Sequence, residues 1–149
     1  MKERIVFIAK ITVIHVITYI LCGILFMTIF HYGSNMTEIG MRPVDSLIVG
    51  LAPVFQIIRG ILFGIALWLF RVAYISKKIG WLVLWVILVI LGILNTPGTG
   101  AGSIERIIYY EGGAEFWNLM GGGMLEVLTQ MLLFSIFTTW ILNRRKKVR

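Results

Sequence analysis

Residues 49–70 read VGLAPVFQIIRGILFGIALWLF, an apolar run that carries Pro53, Gln56, Arg59 and a Gly60/Gly64 pair. About 20 consecutive apolar residues cross the hydrocarbon core as a helix, so the run reads as a transmembrane span. A guanidinium near the middle of such a span costs about 2.5 kcal/mol on insertion scales, so the other helices are expected to supply Arg59 with a partner. At about 100° per residue, Ala52, Pro53, Arg59, Gly60, Phe63, Gly64 and Leu67 share the side of Gln56. Val54, Ile57, Ile58, Ile61, Leu62, Ile65 and Leu69 share the other side. The expectation is a small, polar face packed on protein, where Gly60 and Gly64 permit close backbone approach, and a branched face in lipid. Pro53 removes one backbone hydrogen bond and is expected to kink or break the helix in its outer third. Asp45 is a candidate N-cap that would start the helix near Ser46.

The surrounding composition extends this reading to the whole chain. The 149 residues are 58% hydrophobic, with a mean hydropathy of +0.90, which excludes an ordinary soluble domain. Further apolar runs bring the spans to four, at about 11–30, 47–70, 79–95 and 123–142, with external loops at 31–46 and 96–122. The predicted class is an all-α integral membrane protein: a single membrane domain over residues 1–149, with four transmembrane helices in an antiparallel bundle. A short external helical hairpin is expected between helices 3 and 4. The loops leave no room for a separate soluble domain.

Charge sets the expected orientation. Lys2, Arg4, Lys10, Arg71, Lys77, Lys78 and the C-terminal RRKKVR fall in segments that share one side of a four-span chain. Every acid except Glu3 falls in or beside the two loops on the other side. The positive-inside rule therefore places both termini in the cytoplasm, in a plasma (inner) membrane. The net charge of +7 is assigned to anchoring at span ends and to anionic headgroups rather than to nucleic acid. Cys22 is the only cysteine, which excludes an intrachain disulfide and any cysteine-built metal site within one chain. The basic N-terminus resembles a signal peptide, but the apolar part is long and HYGSNM after it offers no small-residue cleavage site, so a retained span is expected.

Along the first span, Thr12, His15, Thr18, Tyr19 and Cys22 cluster within about 60° of His15, forming a polar stripe that should face other helices. His15 is read as an imidazole hydrogen-bonded to a neighbouring helix, ahead of a proton-relay or metal role. His31 lies 16 residues further on, about 24 Å along a helix, too far to share one haem with it. Asn35 opens a formal glycosylation sequon. RVAYISKKIG at 71–80 is a short connection that makes the second and third spans a hairpin. The third span, WLVLWVILVILGIL, has no polar face and is expected to be the most lipid-exposed.

The loop before the fourth span opens with NTPGTGAG and continues into SIERIIYYE and AEFWNLM, two short amphipathic pieces closed by glycines. They are read as an interfacial hairpin that caps the external mouth of the bundle, with Glu105 and Glu111 as candidate cap residues. On the fourth span Glu126, Thr129 and Gln130 share a face. Counting back from Arg71 and Arg144 leaves Arg59 and Glu126 about 9 Å apart in depth, a gap a tilted arginine can largely close. An Arg59–Glu126 pair is therefore expected, with Glu105 and Glu111 of the cap as alternative partners, within a candidate intramembrane polar site of Gln56, Arg59, Glu126, Thr129 and Gln130. Gly60 and Gly64 are assigned to helix packing.

No catalytic motif, metal-ligand spacing or nucleotide-binding glycine pattern is present, so no catalytic residue, metal or cofactor is assigned. The favoured function is a non-enzymatic subunit or accessory protein of a larger membrane complex. Its expected partners are the lipid bilayer and a membrane protein or a second copy. The alternatives are a small self-contained transporter or channel with an externally accessible Arg/Glu/Gln site, and a lipid-directed enzyme in which Arg59 holds a headgroup.

Overall fold

The computed structural model describes residues 1–31, 42, 45–95 and 122–144. The expected external hairpin with Glu105 and Glu111, most of the first external loop and the last five residues lie outside the described residues. Among the described residues the chain is helical and contains no strand. Three helices are long and apolar enough to cross a membrane: Lys2–Phe30, Ala52–Tyr74 and Met124–Arg144. Gly80–Leu94 is a shorter apolar helix.

Helix α1, Lys2–Phe30, runs for 29 residues without a proline, so nothing interrupts its backbone ladder. It stops at His31, whose left-handed backbone (φ 51°) turns its N–H onto the Met27 carbonyl. The short helix α2, Leu47–Gly50, is capped by Ser46, whose hydroxyl accepts the Val49 N–H at 3.4 Å. The cap is thus Ser46 and not the expected Asp45. Ser46 is the residue in the extended conformation (φ −67°, ψ 140°) that aims a side-chain oxygen at the third helical N–H.

After Leu51 the chain re-enters helix as α3, Ala52–Tyr74. Pro53 sits in its first turn, where the missing N–H has no intrahelical acceptor, so the proline starts α3 and separates it from α2. The connection from Tyr74 to Gly80 is tight. Ser76 adopts φ 65° and donates its N–H to Asn143 Oδ1 at 2.8 Å. A Cβ at Gly80 would collide with the carbonyl oxygen of Tyr74, so only glycine fits there. Gly80→Ala is expected to cost about 1–3 kcal/mol in thermal unfolding in detergent. Gly50→Ala, which meets nothing within 4 Å, should stay within about 0.5 kcal/mol of wild type.

Helix α4, Gly80–Val89, widens into a π-helical turn at Ile90–Leu94, where Asn95 N–H reaches back to the Ile90 carbonyl. The chain resumes as α5, Gly122–Arg144.

The apolar core joins Phe7, Ile11 and Ile14 of α1, Leu67 and Tyr74 of α3, Leu84 and Leu88 of α4, and Phe134 of α5. Core residues included, only 22%, 17% and 22% of the apolar windows of α1, α3 and α5 are buried. Surfaces this rich in exposed Ile, Leu, Val and Phe are consistent with an apolar surrounding.

Helices α1 and α3 meet at their backbones. A Cβ at Gly60 would lie 2.8 Å from Thr12 Cα, and one at Gly64 would lie 2.9 Å from Ile8 Cα. Phe7 packs edge-on against Trp68, with centroids 5.2 Å apart. On α5, Phe134 faces His15 and Glu126 faces Gly23. Trp85 of α4 donates its indole N–H to the Leu128 carbonyl at 3.2 Å.

Candidate functional site

The polar centre of the bundle is His15. It is 4% exposed, and its Nε2 donates to Gln56 Oε1 at 3.0 Å, the amide of a residue itself only 9% exposed. The helical periodicity of α3 explains the meeting: Gln56, Gly60, Gly64 and Leu67 form its buried seam, and the two glycines let α1 approach closely enough for the side chains above them to bond.

Two rings enclose the imidazole. Phe63 stands edge-on at 5.0 Å and Phe134 at 5.8 Å between centroids, and the rings lie 6.0 Å from one another. One histidine thus contacts both α3 and α5. Thr18 on the same stripe is also buried and returns its hydroxyl to the Ile14 carbonyl at 2.9 Å. The polar stripe expected of the first span does turn inward at His15, Thr18 and Cys22.

Facing it, α5 buries Ser135, Thr138 and Thr139. The first donates to Met131 O and the third to Ser135 O. The Thr138 hydroxyl has no hydrogen-bond partner among the described residues.

The residues expected to form one polar site are divided. Gln56 belongs to the His15 junction. Arg59 lies on the exposed flank of α3, with its guanidinium 5.9 Å over the Phe63 ring. The flank follows from geometry, since Arg59 stands about 60° round the helix from Gln56, off the edge of the glycine seam. Glu126 is half-buried against α1, with Oε1 3.6 Å from the Cβ position of Gly23. Thr129 and Gln130 are half-buried on α5.

Helix α1 serves as a ruler for depth. Gly60 faces Thr12 and Gln56 faces His15, whereas Glu126 faces Gly23. The arginine and the glutamate are therefore separated by at least eight residues of α1, about 12 Å, and by orientation, so they are not brought together. Counting depth from Arg71 and Arg144 treated the two span ends as level, but both helices take their register from α1. Phe134 was not among the expected residues. The available signal is its spacing four residues after Gln130, which puts both on one side of α5.

Fold and junction together define a helical chain with three helices of membrane-crossing length and apolar character, tied by one buried imidazole–amide bond. No family model, curated protein or solved structure matches it.

Proposed function

We propose that this chain is a multi-pass membrane protein, a four-span antiparallel bundle with both termini on the cytoplasmic side of a plasma (inner) membrane. We propose further that it works as a non-enzymatic subunit of a larger membrane assembly. The antiparallel reading is supported by the order of contacts: Ile8, Thr12 and His15 meet Gly64, Gly60 and Gln56 in turn. Its fourth crossing is the 80–94 helix, about 22 Å long, which makes up the remaining thickness by local thinning of the bilayer.

Arg59 carries the subunit reading. It lies 12 residues from Leu47 and 12 from Arg71, about 18 Å from each end of the apolar stretch. It lies on the exposed flank of α3, with its guanidinium 5.9 Å over the Phe63 ring. An outward guanidinium at mid-depth is expensive against acyl chains, and a carboxylate or carbonyl group from another membrane chain, or from a second copy, removes that cost. A photo-crosslinker placed at Leu62, one turn below Arg59 and 61% exposed, tests this in native membranes. The expected adducts join this chain to an integral membrane protein or to itself. Adducts to lipid alone would contradict the reading.

The helix break at Leu51 favours a second reading, a small transporter or channel using Gln56, Arg59, Glu126, Thr129 and Gln130. Broken helices commonly line solute sites at membrane depth. It requires a flux in reconstituted vesicles that Arg59→Ala abolishes.

A further inference from the structure

A cleft of about 520 Å³ opens where the 75–79 turn meets the C-terminal end of α5. Lys77, Lys78 and Arg144 line it, and no acid does among the described residues. Its walls are Trp81, Ile136 and Trp140. The two tryptophans are 38% and 51% exposed, and Arg144 covers one face of Trp140, so the Trp81 ring and the remaining surface of Trp140 are available to a ligand.

The cations are held in place. Arg144 stacks its guanidinium on Trp140 at 3.6 Å, which fixes one side. On the other, the Ser76 N–H bond to Asn143 Oδ1 and the left-handed backbone of Ser76 pin the turn that carries Lys77 and Lys78. The lysines follow this bond directly in sequence, so α5 positions them. The result is three positive charges above an apolar floor, with tryptophans at the boundary between them.

We infer that this cleft is a docking site for a single anionic phospholipid of the cytoplasmic leaflet. The inference rests on the membrane reading above. The phosphate sits among Lys77, Lys78 and Arg144, and the acyl chains run along Ile136 between Trp81 and Trp140. The charge is complementary, since three unopposed cations favour an anionic headgroup over a zwitterionic one. The apolar walls decide between a lipid and a free anion, because inorganic phosphate would leave Trp81, Ile136 and Trp140 uncovered, whereas acyl chains cover them. Tryptophan at this level matches the headgroup depth at which such rings settle.

The test is native mass spectrometry of the full chain, released from micelles doped with phosphatidylglycerol or phosphatidylcholine. Wild type is expected to retain one phosphatidylglycerol in preference to phosphatidylcholine. Lys77→Gln, Lys78→Gln and Arg144→Gln should each weaken retention about fivefold, and the triple variant should lose it. Lys2→Gln/Arg4→Gln removes two cations from the same side but outside the cleft and should leave retention unchanged. Millimolar inorganic phosphate should not displace the lipid.

Equal retention of the two lipids by wild type would overturn the assignment. So would equal losses in the cleft and control variants, which describe a diffuse basic belt, and displacement by inorganic phosphate, which describes a free-anion site. The single variants decide the matter if the triple variant fails to fold. Flotation with vesicles separates the two levels of failure: a chain that does not float refutes the membrane reading, and one that floats without headgroup preference refutes the lipid site alone.

Discussion

Gly60→Leu or Gly64→Leu is expected to force α1 off α3 and to destabilise the chain by about 3 kcal/mol or more. The reason is what each added side chain meets. At both positions the nearest atom is a backbone Cα, of Thr12 at 2.8 Å or of Ile8 at 2.9 Å, and a backbone cannot swing aside as the end of a flexible side chain can. Gly60→Ala and Gly64→Ala already demand a shift and should cost about 1–2 kcal/mol each. In a bilayer no hydrophobic force would press the helices together against this clash, because acyl chains solvate the separated faces as well as protein does. Equilibrium unfolding in mixed micelles checks the order wild type, Ala, Leu. A leucine variant as stable as wild type would show that the two backbones do not touch.

His15→Leu is expected to cost about 2 kcal/mol, chiefly by leaving the buried Gln56 amide without its partner. Gln56→Leu should cost a similar amount by stranding the imidazole. The double variant His15→Leu/Gln56→Leu should recover much of the loss, since neither polar group then needs satisfying. The recovery has a ceiling, because His15 also packs edge-on against Phe63 and Phe134 and leucine reproduces that contact poorly. A double-mutant cycle reads the coupling directly. Strictly additive losses would mean that the bond contributes nothing.

The helical class was legible because it follows from composition: runs of about 20 apolar residues leave the backbone no partner but itself. The stripe on α1 was legible for the same reason, as a period of 3.6 put His15, Thr18 and Cys22 on one line and that line is buried. What could not be read was which stripe meets which, because the relative depth of two helices depends on side chains from both. His15 and Gln56 were each visible as inward polar groups, but their pairing needs the register that Thr12 and Ile8 set against the glycines. The same gap sent Arg59 toward Glu126. A depth count from span ends ignores that α3 meets α1 between Ile8 and His15 whereas Glu126 meets it at Gly23, and about 60° of rotation off the glycine seam is enough to turn Arg59 outward. The third apolar run was expected to span 79–95; its helix covers 80–94 and ends in a widened turn, which a uniformly apolar sequence does not announce.

The outward arginine is where the account is most exposed to a single measurement: the particle mass after extraction in mild detergent, by size-exclusion chromatography with light scattering. One chain weighs 16.9 kDa. Wild type is expected to run as a larger protein particle, and Arg59→Leu as the single chain, because in the proposed assembly the guanidinium would hold a partner's polar group at mid-depth. A wild-type particle of one chain, with Arg59→Leu equally stable and equally monomeric, would contradict it.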